Sequence, residues 1–154
     1  MPTLRFFVPT NRFDKRGRKA PLDGLNELVR ADRSGWRYGS VRKRENGQNA
    51  EAACAVAMRG QGWECPDCRC VVTLHFVEPH ARRDPDNVFG GAKFILDGIT
   101  EPRGSRTYGA GAIHDDSQKY MTLVLDPVIE VDKEHVGCMV TIETEDEWRK
   151  RTES

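Results

Sequence analysis

Hydrophobic and polar positions along the 154-residue chain fall into a short series of periodic segments. Thr3–Val8 sets two phenylalanines beside a β-branched valine and predicts a strand. Leu25, Leu28 and Val29 share one face at helical spacing, which predicts a helix over Leu22–Arg33 interrupted by Ser34-Gly35. A longer helix is expected from about Ser40 to Arg59. It is polar through Arg42–Glu45, apolar through Ala52, Ala53, Val56 and Ala57, and ended by Gly60 and Gly62. Cys70–Val77 alternates most clearly, with Val72, Leu74 and Phe76 on one side and Val71, Thr73, His75 and Val77 on the other.

Past the polar turn Glu78–Asp86, a helix is expected from Asn87 to Asp97, stopped by Gly98. Val88, Ala92, Ile95 and Ile99 would form its apolar stripe. Residues 100–112 are glycine-rich and contain a proline, so they predict a loop. Strands are expected near Lys119–Leu125, Val128–Val131 and Cys138–Glu143, then a charged tail, Glu145–Ser154, with Trp148 as its anchor. The order β-α-α-β-α-β-β predicts a single α+β domain over residues 1–154. It is a mixed sheet with helices packed mainly on one face, and parallel pairing where a helix joins two strands.

Apolar residues make up 38% and charged residues 31%, and no run approaches the roughly 18 apolar residues of a membrane span. No membrane partner is therefore expected. Met1–Pro9 is too short and too interrupted for a signal peptide, so a cytoplasmic location is expected. Five cysteines, an odd number, argue against a closed disulfide framework and suit a reducing compartment.

The formal net charge is zero, but its distribution is lopsided. Residues 1–44 hold twelve lysines and arginines against four acids, a balance of +8, and the remainder carries −8. A basic third attracts polyanions, although the same pattern also describes an ordinary solvated surface. Candidate phosphate contacts are Arg12, Lys15, Arg16, Arg18, Lys19, Arg42, Lys43, Arg44, Arg82 and Arg83. No recognition helix or other sequence-reading motif accompanies them.

The acids concentrate in Arg82-Arg83-Asp84-Pro85-Asp86-Asn87. Pro85 disfavours the α region at Asp84, so the segment starts extended, and residues two apart then point the same way. Asp84 and Asp86 could face one hard cation, or serve only as turn and helix-cap residues. In a continuous helix, Lys93 would stand about two turns beyond them on their own side. Gly90-Gly91 inside that helix would cost roughly 1 kcal/mol per glycine, which is more understandable if a phosphate or a partner helix approaches the backbone there. A second pair, Asp115-Asp116, precedes a strand, and only one of the two should reach a shared site. Carboxylates with a nearby lysine suit Mg²⁺-assisted phosphodiester cleavage.

These segments together resemble the RusA family of Holliday-junction resolvases, in the variants found in Gram-positive bacteria and their phages. The resemblance rests on Arg83-Asp84-Pro85-Asp86-Asn87, Lys93-Phe94-Ile95-Leu96-Asp97-Gly98-Ile99 and Gly111-Ala112-Ile113-His114-Asp115-Asp116-Ser117. Leu25-Asn26-Glu27-Leu28, Arg42-Lys43 and Val131-Asp132-Lys133 extend it over most of the chain. It implies a homodimer of small subunits that cuts four-way DNA junctions in recombination and repair. Asp84, Asp86 and Asp116 would hold Mg²⁺, with Mn²⁺ able to substitute, and Lys93 would be the catalytic lysine. Two departures stand out: Gly90 occupies the place of the lysine in the shorter form of the motif, and Thr100–Gly111 is longer than the family's usual connection.

Cys65-Pro66-Asp67-Cys68-Arg69-Cys70 contains one Cys-x-x-Cys with no second knuckle. Zinc is therefore not the expected cofactor. A site at Cys65, Cys68 and Cys70 would need Cys54, Cys138, His75 or His80 to complete it. His80 and His114 flank the acidic segments and are expected to be ordinary loop histidines. The second reading, beside the nuclease, is a catalytically inactive junction- or nucleic-acid-binding protein, with or without zinc at that knuckle.

Overall fold

Alternation along the strands sorts the sheet into a face packed on the core and a second, partly covered face. The computed structural model describes residues 3–153, so Met1, Pro2 and Ser154, the last residue of the expected tail, lie outside it. In chain order the elements are β1 (Thr3–Pro9), α1 (Leu25–Arg33), α2 (Trp36–Gln61), β2 (Cys70–Glu78), α3 (Pro85–Phe89) and α4 (Ala92–Ile99). Then come β3 (Met121–Leu125), β4 (Glu130–Val131), β5 (Gly137–Thr144) and α5 (Glu145–Glu153). The sheet runs β1-β5-β2-β3, with β4 beside the far end of β2. β5 is antiparallel to both neighbours, whereas β3 and β4 run parallel to β2, so the fold is α+β with one mixed sheet.

Leu4, Phe6 and Val8 of β1, Val72, Leu74 and Phe76 of β2, and Cys138, Val140 and Ile142 of β5 lie in one core with Ala50 and Cys54 of α2 and Ile95, Leu96 and Ile99 of α4. The opposite face carries half-buried Thr73, His75, Met139 and Thr141. α5 folds onto that side, where Arg151 pairs with the buried Glu143 at 2.5 Å. Among the described residues no helix is long and apolar enough to cross a membrane.

The structure departs from the periodic expectation at four places. α1 begins at Leu25 rather than Leu22, because Asp23 before it is buried and bonded to α2. α2 starts earlier, at Trp36, and ends as expected at Gly62, whose φ of 66° suits the left-handed cap. The helix expected over Asn87–Asp97 breaks at Gly90-Gly91 into α3 and α4, and α4 runs through Gly98 to Ile99. There the chain passes close beneath α1. A Cβ on Gly90 would sit 2.7 Å from Leu25 Cβ, and one on Gly91 2.8 Å from the Asp23 carbonyl. The charged tail is itself a helix, α5, with Glu145, Asp146 and Glu147 in its first turn and Lys150 and Arg151 in its last, which matches the helix dipole.

Gly98 does not stop α4; it lets α4 cross α2 closely. A Cβ there would meet Ala50 Cβ and the Gly47 carbonyl, each at 2.5 Å. Gly98→Ala should therefore destabilise the protein by about 1–3 kcal/mol through overpacking. Gly60→Ala, in α2 with nothing within 4 Å, should be neutral or stabilising. Urea unfolding of the two variants checks the contrast, and equal stabilities would refute the close crossing.

Candidate acidic site and its surroundings

Asp84 sits at the N-terminus of α3 in extended conformation, φ −66° and ψ 141°, with Pro85 opening the helix. Asp86 follows in the first turn, where its Oδ1 accepts the Asn87 N–H at 3.0 Å. Both carboxylates are exposed, and among the described residues neither is joined to a cation. Their footing is fixed. Asn87 is buried and its Oδ1 accepts the Asn26 N–H at 2.7 Å. Arg83 donates to both carboxylate oxygens of Glu78, at 2.8 and 3.0 Å, to the Leu22 carbonyl at 3.0 Å, and to Glu27. One mostly buried guanidinium thus ties the end of β2 to α1 and to the segment bearing Asp84.

Arg83, expected as a phosphate contact, is engaged here as a scaffold residue. Arg12 and Arg42 are likewise engaged with a carboxylate. Arg42 forks onto Asp23 with two 2.8 Å bonds, Arg12 reaches the same carboxylate at 3.0 Å, and Asn46 donates to it at 2.8 Å. Burial works to raise the Asp23 carboxyl, but the bonds from Arg42 and Asn46 and the charges of Arg12 and Arg42 outweigh it and hold the group below its ordinary range. Arg18 pairs with Asp14 at 2.7 Å, Lys43 approaches Asp32 at 3.8 Å, and Lys19 donates to the Glu134 carbonyl. Lys15, Arg16, Arg44 and Arg82 are exposed with no ion-pair partner among the described residues.

Lys93 does not share a continuous helical face with Asp86. The break at Gly90-Gly91 places it on α4, 61% exposed, with its ammonium 3.1 Å from Asp97. Asp116 is separated further. β3 runs parallel to β2 with Met121 opposite Cys70, so Asp116, just upstream of Met121, belongs to the N-terminal end of β2. Asp84 and Asp86 follow its C-terminal end, about 26 Å of strand away. Asp84 and Asp86 both stand at the start of α3, but only Asp84 is extended and Asp86 is helical, so the expected extended arrangement of the pair does not run through Asp86; Asp116 is not brought to them within one chain.

At the Asp116 end, Arg103 bonds Asp115 at 2.5 Å and holds its carboxyl below the ordinary range. Beside them lies a grouping the sequence reading missed. Donor atoms of Cys65, Glu101 and His114 all lie within 4.8 Å of one another. The Cys-x-x-Cys was visible, but its neighbours come from two distant loops, so only the tertiary structure identifies them. Of the completing residues considered for a Cys65, Cys68 and Cys70 site, Cys54 and Cys138 are buried in the core, His75 bonds Asp126 at 2.9 Å, and His80 follows the far end of β2, where its Nδ1 accepts the Arg82 N–H at 3.4 Å.

Compared with models of protein families, with curated proteins and with solved structures, the chain matches none.

Asp23 yields a pH prediction. Its folded pKa is depressed, so its contribution to stability is present above the unfolded value, about 3.9, and is lost as pH falls through the lower folded value. Asp23→Ala should cost about 3–5 kcal/mol at neutral pH, because Arg12 and Arg42 lose their shared counter-ion. The variant should also lose part of the wild-type fall in stability below about pH 4. Denaturant unfolding between pH 2 and 7 checks both, and parallel pH profiles would refute the assignment.

Proposed function

We propose that this chain is a Mg²⁺-dependent endonuclease acting on branched DNA, as the resemblance to the RusA resolvases implies. The observation that carries the reading is the Asp84–Asp86 pair: two exposed carboxylates without a cation partner among the described residues, held on a footing of Arg83 and Glu27 with buried Glu78 and Asn87. Hard oxygen donors of this kind fit Mg²⁺, which binds through one or two carboxylates and keeps several waters for phosphate oxygens to replace. Bound there, the cation supplies an activated water and neutralises charge on the phosphate being cleaved. Asp84 and Asp86 hold and orient it, while Arg82, Lys15, Arg16 and Arg44 remain available to phosphates. Lys93 enters this reading only if DNA binding draws it from Asp97.

Asp116 can join this centre only from a second copy of the chain, given its place in the first. That ties the proposed activity to a homodimer, whose two-fold axis also matches paired incision of a four-way junction.

Cleavage of synthetic junctions with and without Mg²⁺ tests the reading. Asp84→Asn and Asp86→Asn should abolish cutting while junction binding persists, and cutting at near wild-type rate would overturn the assignment. If the wild-type protein binds but never cuts with Mg²⁺ or Mn²⁺, the non-catalytic junction-binding reading takes its place. Binding should weaken steeply with salt. Sedimentation should report about twice the 17.4 kDa chain mass.

Mixing two inactive variants tests the second-copy arrangement. If Asp116 acts across the dimer, a heterodimer of Asp84→Asn with Asp116→Asn regains one intact centre and nicks one strand. If it acts within its own chain, every centre stays damaged and no nicking returns.

A further inference from the structure

The Cys-x-x-Cys knuckle and the two loops packed against it form a separate pocket at the other end of β2, and we infer that Cys65, Glu101 and His114 bind a zinc ion there, with solvent completing its coordination. The local structure brings these residues together. Thr100 and Ile113 pair in a parallel bridge, so Glu101 and His114, each one residue further on, emerge side by side. The Trp63 indole N–H donates to the Ala112 carbonyl at 2.9 Å and pins the segment entering the knuckle to the same loop. His114 Nδ1 lies 2.8 Å from Glu101 Oε1, and its Nε2 lies 3.8 Å from Asp67 Oδ1. Asp67, Glu101, His114, Asp115 and Tyr120 line an open hollow of ≈ 500 Å³.

The donor chemistry selects the ion. A thiolate with an imidazole and a carboxylate suits zinc and discriminates against Mg²⁺, which prefers oxygen ligands throughout. Ligands about 2.0–2.3 Å from a tetrahedral zinc lie roughly 3.3–3.8 Å from one another. Donors already within 4.8 Å therefore need only small side-chain rotations to reach that geometry. The surroundings are anionic. Glu101 and Asp67 flank His114, and Asp115 also lines the hollow, where Arg103 offsets it, so the site favours an added cation. Cys68 is exposed and Cys70 is buried in β2, and Cys65 is the knuckle thiol whose sulfur lies close to the Glu101 and His114 donors. Zinc here would staple the knuckle, the loop after α4 and the segment before β3, and so fix the loop that displays Asp115 and Asp116.

Metal analysis and cobalt spectroscopy of the full chain test the proposal. Purified protein should carry one zinc per chain. After chelation, added Co²⁺ should give a thiolate-to-cobalt charge-transfer band. Cys65→Ser should remove the band, and Cys68→Ser should keep it. His114→Ala should weaken zinc binding by more than the roughly 10–100-fold that loss of an outer-shell partner costs. Circular dichroism distinguishes these results from unfolding. Zinc uptake should release protons as Cys65 ionises, a readout independent of any cleavage. Asp84→Asn should leave the cobalt band intact, so this site and the proposed Mg²⁺ site can fail separately. A folded wild-type protein with neither zinc nor a cobalt–thiolate band overturns the inference. So does a band that survives Cys65→Ser but disappears in Cys68→Ser.

Discussion

The parallel pairing of β2 with β3 governs the placement of everything that carries chemistry in this protein. A parallel neighbour cannot be reached by a tight turn, so the chain leaving β2 must travel back along the sheet before it can re-enter. α3 and α4 make that return journey, packed over the core face. The consequence is polarity. Asp84 and Asp86 remain where β2 ends, while Glu101, His114, Asp115 and Asp116 are delivered to the place where β2 begins. The two ends then carry different donor sets: a pair of carboxylates at one, and a thiol, imidazole and carboxylate at the other.

Buried ion pairs do the positioning at the first end. Arg83 and Asp23 each sit at the centre of a cluster whose members come from segments far apart in sequence. Such clusters contribute little net stability compared with well-packed apolar groups, but breaking one leaves an uncompensated charge. They act as geometric locks: Arg83 fixes the end of β2 against α1, and Asp23 fixes the segment before α1 against α2. Charges read along the chain as a basic surface are thus partly internal struts. The electrostatic footprint available to a polyanion shrinks to the residues left exposed, Lys15, Arg16, Arg44 and Arg82 among them.

Small residues set the helix packing above the sheet. Gly98 permits the α2–α4 crossing, and Gly90 and Gly91 let the return path pass under α1. The glycine pair that looked costly within one helix is the joint between two. Its backbone is approached by α1 and by the Asp23 carbonyl, which answers the sequence-level question of what comes so close there.

Much of the fold was legible in the chain itself. Alternation located β1, β2 and β5 to within a residue or two, because side-chain period and burial coincide wherever one face of a sheet packs on a core. The α+β class and the one-sided helix layer followed from element order. Asp84 was legible as the extended residue before Pro85 because that geometry is local, whereas the extended pairing with Asp86 ends where α3 begins. What sequence could not determine was the outcome of contacts between distant segments. The break between α3 and α4 depends on the approach of Leu25 and Asp23. Whether Arg12, Arg42 and Arg83 face solvent depends on where Asp23, Glu27 and Glu78 come to rest. The grouping of Cys65 with Glu101 and His114, and the separation of Asp116 from Asp84, depend on strand register. Local chemistry is written in neighbouring residues, whereas the company each side chain keeps is decided only when the sheet closes.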